Sequence, residues 1–275
     1  MLSMIESRKR VMKVQYCMIR HKKRYSFISR KNAIEAKEKI WREKNLDGIV
    51  DCTLYSMANP KILFIGQEPW TDSISSYKGQ IEIIKTNGRN PKGNTTLSWA
   101  CEIARCLLKK ETKENSLEYV AWMNVKKEPR IKSSENYQEV CYACQINTEY
   151  LFEQIGAIKP EIIIGFNVLD GPKMLYKPWL GKRGNSLLHI SFTDKKMDSL
   201  ISRSPIDFYV EQNTRIVIVD VPHPHSRETN NRFKGYFPSL IAEAFSQIKL
   251  DNYMANTTWV PRRQRIRTIQ GDWND

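Results

Sequence analysis

The sequence predicts an α/β fold: a three-layer α/β/α sandwich around a central four-stranded parallel sheet. Four short β-rich runs, Lys61–Ile65, Tyr119–Met123, Glu161–Phe166 and Arg215–Val221, alternate with stretches of helical periodicity. Strands alternating with helices are joined by right-handed crossovers, which lay helices over the faces of a parallel sheet. The third run, "EIIIGF", is apolar almost throughout, as a strand covered on both faces requires.

Taken in order, residues 31–45 set Ala33, Ile34, Ile40 and Trp41 among charges and read as a helix. After the first strand, Asn90-Pro91-Lys92-Gly93-Asn94 is a loop by composition. Residues 97–109 then repeat apolar side chains at helical spacing through Leu97, Ala100, Ile103, Ala104 and Leu107. Residues 137–155 do the same through Val140, Cys144, Leu151 and Ile155, and Pro160 closes the approach to the third strand. The connection from 167 to 214 is longer than one crossover needs, and "LLHISF" within it has the makings of an extra hairpin. Leu240, Ile241, Ala244, Phe245 and Ile248 mark a last helix at 238–249. We divide the chain into a basic helical extension at 1–46, an α/β domain at 47–250 and a basic tail at 251–275.

An apolar fraction of 41% with 10% aromatic residues supports a true core and excludes wholesale disorder. No apolar run approaches the roughly 20 residues that span a bilayer. The chain opens without a secretory apolar stretch, so a cytoplasmic location and reduced thiols are expected. Charge is the strongest global signal: 44 Lys and Arg against 30 Asp and Glu give +14. Ten Lys or Arg and no acid lie between Arg8 and Lys31, interleaved with Tyr16, Tyr25 and Phe27. Arg262, Arg263, Arg265 and Arg267 form a second cluster. Two clusters of one sign favour phosphate contacts, and so a nucleic-acid partner, over solvated tails. Cys141 and Cys144 fall on a helical stripe and read as buried packing residues. An iron–sulfur or zinc site shared with Cys101 and Cys106 is the alternative.

Ligands of an open parallel sheet bind beyond the carboxyl ends of its strands. The first strand exits into Gln67, Glu68 and Trp70, the second ends at Asn124 and the third at Asn167. The fourth exits into Pro222-His223-Pro224-His225-Ser226. A carboxylate, an imidazole and several amides are therefore expected along one edge. A nucleoside or phosphate-ester hydrolase on another α/β sheet has less support, because no Gly-rich phosphate loop or metal-binding carboxylate cluster occurs.

These segments carry a resemblance. Gly66-Gln67-Glu68-Pro69-Trp70 resembles the first signature of the uracil-DNA glycosylase superfamily, best known as Gly-Gln-Asp-Pro-Tyr-His. His223-Pro224-His225-Ser226 is similar to the second, His-Pro-Ser-Pro. "VAWMNVKK" resembles the strand that ends in a base-reading Asn, and "RFKGYFPSLIAEAF" resembles the Arg-Gly-Phe-Phe stretch before the last helix. The four matches come in family order between about residues 60 and 250.

The resemblance implies a monomer that flips a base out of double-stranded DNA and hydrolyses its N-glycosidic bond, leaving an abasic site without metal or cofactor. It implies that Glu68 orients water and favours the sugar cation, while His223 hydrogen-bonds the departing base anion. Gln67 and Trp70 would line the base pocket, Asn124 would read the Watson–Crick edge, and Tyr77 is the candidate for the ring that stacks on the base. Ser226, Arg227, Asn230, Arg232 and Lys234 would grip DNA, with Arg227 as the wedge.

Two departures from the pattern shape the substrate expectation. Glu68 stands where the family has Asp, with Asp72 as an alternative carboxylate. Trp70 stands where a Tyr crowds pyrimidine C5. A reshaped C5 wall favours a C5-modified cytosine, such as the glucosylated hydroxymethylcytosine that bacterial anti-phage glycosylases of this fold excise. Uracil excision in base-excision repair and non-catalytic DNA binding on the same fold are the alternatives.

Overall fold

Why the first strand forms is plain from its burial: Ile62–Gly66 is wholly enclosed along its length. Ile62 and Phe64 enter one core, while Leu63 and Ile65 enter another. Such alternation is the period-2 geometry of a strand with both faces covered. The computed structural model describes residues 31–44, 47–69, 71, 77–87, 95–110, 115–130, 137–168, 187–192, 206–211, 216–221 and 264–269.

In chain order the elements are helix α1 (31–43), β1 (Gly48–Ile49), α2 (Cys52–Met57), β2 (Ile62–Gly66), α3 (Gln80–Asn87), α4 (Thr95–Leu107), β3 (Val120–Asn124), α5 (Tyr137–Ile158), β4 (Ile162–Phe166), β5 (Leu187–Phe192), β6 (Ile206–Glu211), β7 (Val217–Val221) and β8 (Gln264–Ile269). Among the described residues the strands form one sheet in the order β1-β3-β2-β4-β7-β6-β5-β8. The pairs β3–β2, β2–β4 and β4–β7 are parallel.

The expected all-parallel sheet is corrected at both margins. β1 joins β3 antiparallel, and β6, β5 and β8 continue beyond β7 in antiparallel pairs, so the sheet is mixed. "LLHISF" is β5, and its hairpin partner is β6, with Leu187 opposite Glu211. The basic tail at 251–275 contains an edge strand, because β8 pairs with β5 and sets Arg265 opposite Ser191 and Arg267 opposite His189.

One face of the sheet packs Ile84 of α3 and Leu97, Ala100, Ile103 and Ala104 of α4. The other packs Tyr55 of α2 and Val140, Cys144, Leu151 and Ile155 of α5. On the α3/α4 face, Phe64 lies against Trp122 and Phe166, with ring centroids 5.6 and 5.7 Å away. Helix α5 stops where Lys159 turns left-handed, at φ 52°, immediately before Pro160. The expected helix at 238–249 and the loop at 90–94 lie outside the described residues. No helix among the described residues is long and apolar enough to cross a membrane.

Candidate active site

Parallel register decides what meets at the carboxyl edge. Gly66, the last residue of β2, pairs with Asn124, the last of β3. Beyond that pair the two exits stay bonded. Val125 N–H donates to Gly66 O at 3.0 Å, and Lys126 N–H to Gln67 O at 2.9 Å. Arg130 N–H donates to Pro69 O at 2.9 Å, and Thr71 N–H to Arg130 O at 3.0 Å. The turn at 66–71 and the loop at 124–130 therefore run side by side as a short ribbon.

On its other side β2 neighbours β4, and here the chain directions part. From β2 the chain goes through α3 and α4 to β3; from β4 it goes to strands on the opposite side of the sheet. Such a divergence opens a crevice at the carboxyl ends, the usual ligand position in α/β sheets. Gln67 spans it, its Nε2 donating to Asn167 O at 3.2 Å. Asn167 holds that carbonyl in place from a left-handed backbone, φ 55°, a conformation Asn tolerates better than most residues.

Asn124 is 2% exposed, and its amide orientation follows from its neighbours. The Trp122 indole N–H, which can only donate, approaches Oδ1 at 3.4 Å, so that atom is the oxygen. Trp122 is itself fixed by Phe64 and Phe166. The remaining donor, Nδ2, is buried and has no partner among the described residues. Gly66 makes room for this amide: a Cβ there would collide with Asn124 Oδ1.

Glu68 sits at the same exit but in unexpected company. Its Oε1 accepts from Arg130 Nη1 at 2.5 Å and its Oε2 from Lys126 Nζ at 3.1 Å. The Glu68, Lys126 and Arg130 side chains are only 12%, 6% and 16% exposed. Lys126 Nζ also lies 3.9 Å from Glu128 and 3.8 Å from Glu139. The carboxylate expected at this edge is thus held on both oxygens by cations. Nothing in the local pattern of "VKKEPR" marks Lys126 and Arg130 as its partners.

A second polar cluster lies behind the same loop. Lys127 Nζ donates to Asp47 Oδ2 at 2.9 Å and to Gln154 Oε1 at 2.8 Å. Asp47 Oδ2 also accepts from Asn124 N–H at 2.8 Å. Glu38 of α1 is fully buried and accepts from the backbone N–H of Lys127 and Glu128 and from Asn147 Nδ2. Burial pushes the Lys127 ammonium below its ordinary range, with the Asp47 charge opposing. Helix α1, assigned to an extension outside the domain, is thus bonded into it through Glu38.

Tyr77 packs against helix α1. Its ring meets Trp41 of α1 edge to face at 5.8 Å, and burial raises its phenol, helped by the charge of Asp47. Trp70, Asp72, His223, Ser226, Arg227, Asn230, Arg232 and Lys234 lie outside the described residues; β7 ends at Val221, two residues before His223. A cleft of about 510 Å³ opens elsewhere, at the β1 edge beside Ile49, Cys52, Ile81 and Ile158, and Gln67, Glu68 and Asn124 do not border it.

The four-cysteine metal site is excluded by the sheet itself. Cys101 belongs to the α3/α4 core, whereas Cys141 and Cys144 belong to the core on the opposite face. Burial pushes the Cys144 thiol up to about 12, consistent with an inert packing residue.

No protein-family model and no curated protein matches this chain.

Proposed function

We propose that this chain is a DNA glycosylase that flips a modified or damaged pyrimidine out of DNA and hydrolyses its N-glycosidic bond. The fold would be the three-layer sandwich of the uracil-DNA glycosylase kind. The observation that carries this reading is the pair of amides at the crevice, Gln67 bridging β2 to β4 and Asn124 beside it with a buried, unpartnered donor. A buried amide of fixed orientation, as at Asn124, suits the edge of a flat heterocycle, because it rejects a ligand that leaves it unpaired.

The chemistry follows from the residue types. Water adds to C1′ of the sugar, the C1′–N bond breaks, its electron pair leaves with the base, and the base takes up a proton. Glu68 would orient the water and offset the positive charge on the sugar; His223 would hydrogen-bond the departing anion. Gln67 and Trp70 would wall the base, and Ser226, Arg227, Asn230, Arg232 and Lys234 would hold the strand around the gap. No step in this scheme needs a metal.

On the identity of the base, Trp70 in the C5 wall favours a C5-modified cytosine such as glucosylated hydroxymethylcytosine. A second reading is favoured by Asn124. With Oδ1 engaged by Trp122, the amide offers N–H donors, which suit the carbonyl of uracil better than the amino group of cytosine.

The test uses duplexes bearing uracil, hydroxymethylcytosine or glucosylated hydroxymethylcytosine, incubated in EDTA and then treated with alkali to cut abasic sites. Strand scission on one of them is the expected result. Absence of scission on all three would sink the reading, and tight binding without scission would identify a non-catalytic DNA-binding protein. Glu68→Gln and His223→Ala at full activity would overturn the assigned roles.

A further inference from the structure

We propose that Lys126 and Arg130 form a binding site for a backbone phosphate of DNA, and that Glu68 masks this site in the free protein. The inference rests on the DNA reading above and adds two residues to it. Each Glu68 oxygen is held by a different cation, at 2.5 Å by Arg130 and at 3.1 Å by Lys126. A guanidinium and an ammonium converging on one carboxylate present the geometry that also receives a phosphate oxyanion. Glu68 is an internal stand-in for that ligand.

Exchange of one anion for the other is physically easy here. Both cations keep a partner throughout, so neither is left uncompensated. Lys126 retains Glu128 and Glu139 within 4 Å in any case. The backbone at 126 and 130 is bonded to residues 67, 69 and 71, so only side chains need to rotate. The consequence reaches the chemistry. With both oxygens paired, the negative charge of Glu68 is largely cancelled where a sugar cation would form. When a phosphate takes Lys126 and Arg130, that charge is returned to the crevice, and only with DNA in place.

A purely structural ion pair and a masked phosphate site respond differently to mutation. The full-length protein is titrated with a fluorescent duplex over a range of salt. Lys126→Met and Arg130→Met should each weaken binding and reduce the log–log salt slope by about 0.9, the share of one phosphate contact. Glu68→Gln should tighten binding several-fold, since the internal competitor is gone. Glu161→Gln, which removes the same charge at the opposite end of the strands, should not. Inorganic phosphate should compete with the duplex more strongly than chloride at equal ionic strength, and less so in Arg130→Met.

Unchanged salt slopes, or a Glu68→Gln protein that binds no tighter than Glu161→Gln, would overturn the proposal. So would a phosphate effect without a change in duplex slope, which would mark a site for the free ion. Unfolding midpoints are measured first; should Lys126→Met not fold, Arg130→Met and Glu68→Gln decide alone. None of these arms reads base excision, so failure of the masked site is distinguishable from failure of the glycosylase reading.

Discussion

Lys126 and Lys127 are consecutive residues with side chains that are both almost wholly enclosed, yet they belong to different kinds of site. Lys127 is closed in by Asp47, Gln154 and the ring of Tyr150, and these tie β1 and α5 to the end of β3. Lys126 reaches the crevice edge and shares Glu68 with Arg130. The difference lies in what could replace the partner. The Lys127–Asp47 pair is 3% and 7% exposed, whereas Arg130 and Glu68 beside Lys126 are 16% and 12% exposed, so a competing anion has more access to the second cluster. Similar burial therefore conceals a permanent joint and an exchangeable one.

The sharpest way to break this contrast is to remove one partner from each side. Asp47→Ala should cost about 3–5 kcal/mol in urea unfolding, because it strands the Lys127 ammonium in a closed site. Glu68→Gln should cost about 1–2 kcal/mol, since the amide keeps the shape and Lys126 keeps Glu128 and Glu139. Equal losses would show the two clusters to be alike.

Alkaline unfolding probes the closed side through Cys144, whose thiol is raised from 9.0 to about 12 by burial first and by Cys141 second. The unfolded thiol loses its proton near 9.0 while the folded one keeps it, so this contribution is full below pH 9 and is lost as pH rises towards 12. Stability should fall across that window, and Cys144→Ala should make the fall shallower whatever its cost at neutral pH. An identical slope would mean that the core opens before the thiol matters.

Gly66→Ala tests the end of β2 beside the crevice. Its Cβ would displace the Asn124 amide, and an overpacked site of this kind costs about 1–3 kcal/mol. Base excision should fall further than stability predicts, as measured at a temperature where the variant is fully folded. The smallest effect is expected at the helix surface. Lys85 and Glu82 are paired at 3.7 Å but about half exposed, so Lys85→Ala should change stability by no more than about 0.5 kcal/mol.

How much of this was legible beforehand follows from the reach of each signal. β2, β3, β4 and β7 were readable because a strand buried on both faces needs a continuous apolar run, and four such runs stand out. β8 was not, because "QRIRTI" is an edge strand whose pairing with β5 comes from a distant part of the chain. Gln67, Glu68, Asn124 and Asn167 were placed at one edge by the parallel rule alone. Their partners were hidden: Lys126 meets Glu68 across 58 positions and Gln67 meets Asn167 across 100, and both pairings depend on sheet register. Glu38 was hidden more deeply, as one acid among many on a charged helix, 89 positions from the amide it receives.

That helix has a mechanical consequence. The basic stretch beginning at Arg8 runs into α1 at residue 31, and α1 is bolted through Glu38 to the backbone of Lys127 and Glu128, inside the loop that carries Lys126 and Arg130. Tension on the basic stretch would be delivered to the rim of the crevice as if through a lever. Trimming the chain ahead of residue 31 takes away most of the basic stretch and leaves the bolt in place. Trimming it to residue 47 also takes out the bolt, and the crevice loses the brace that sets its shape.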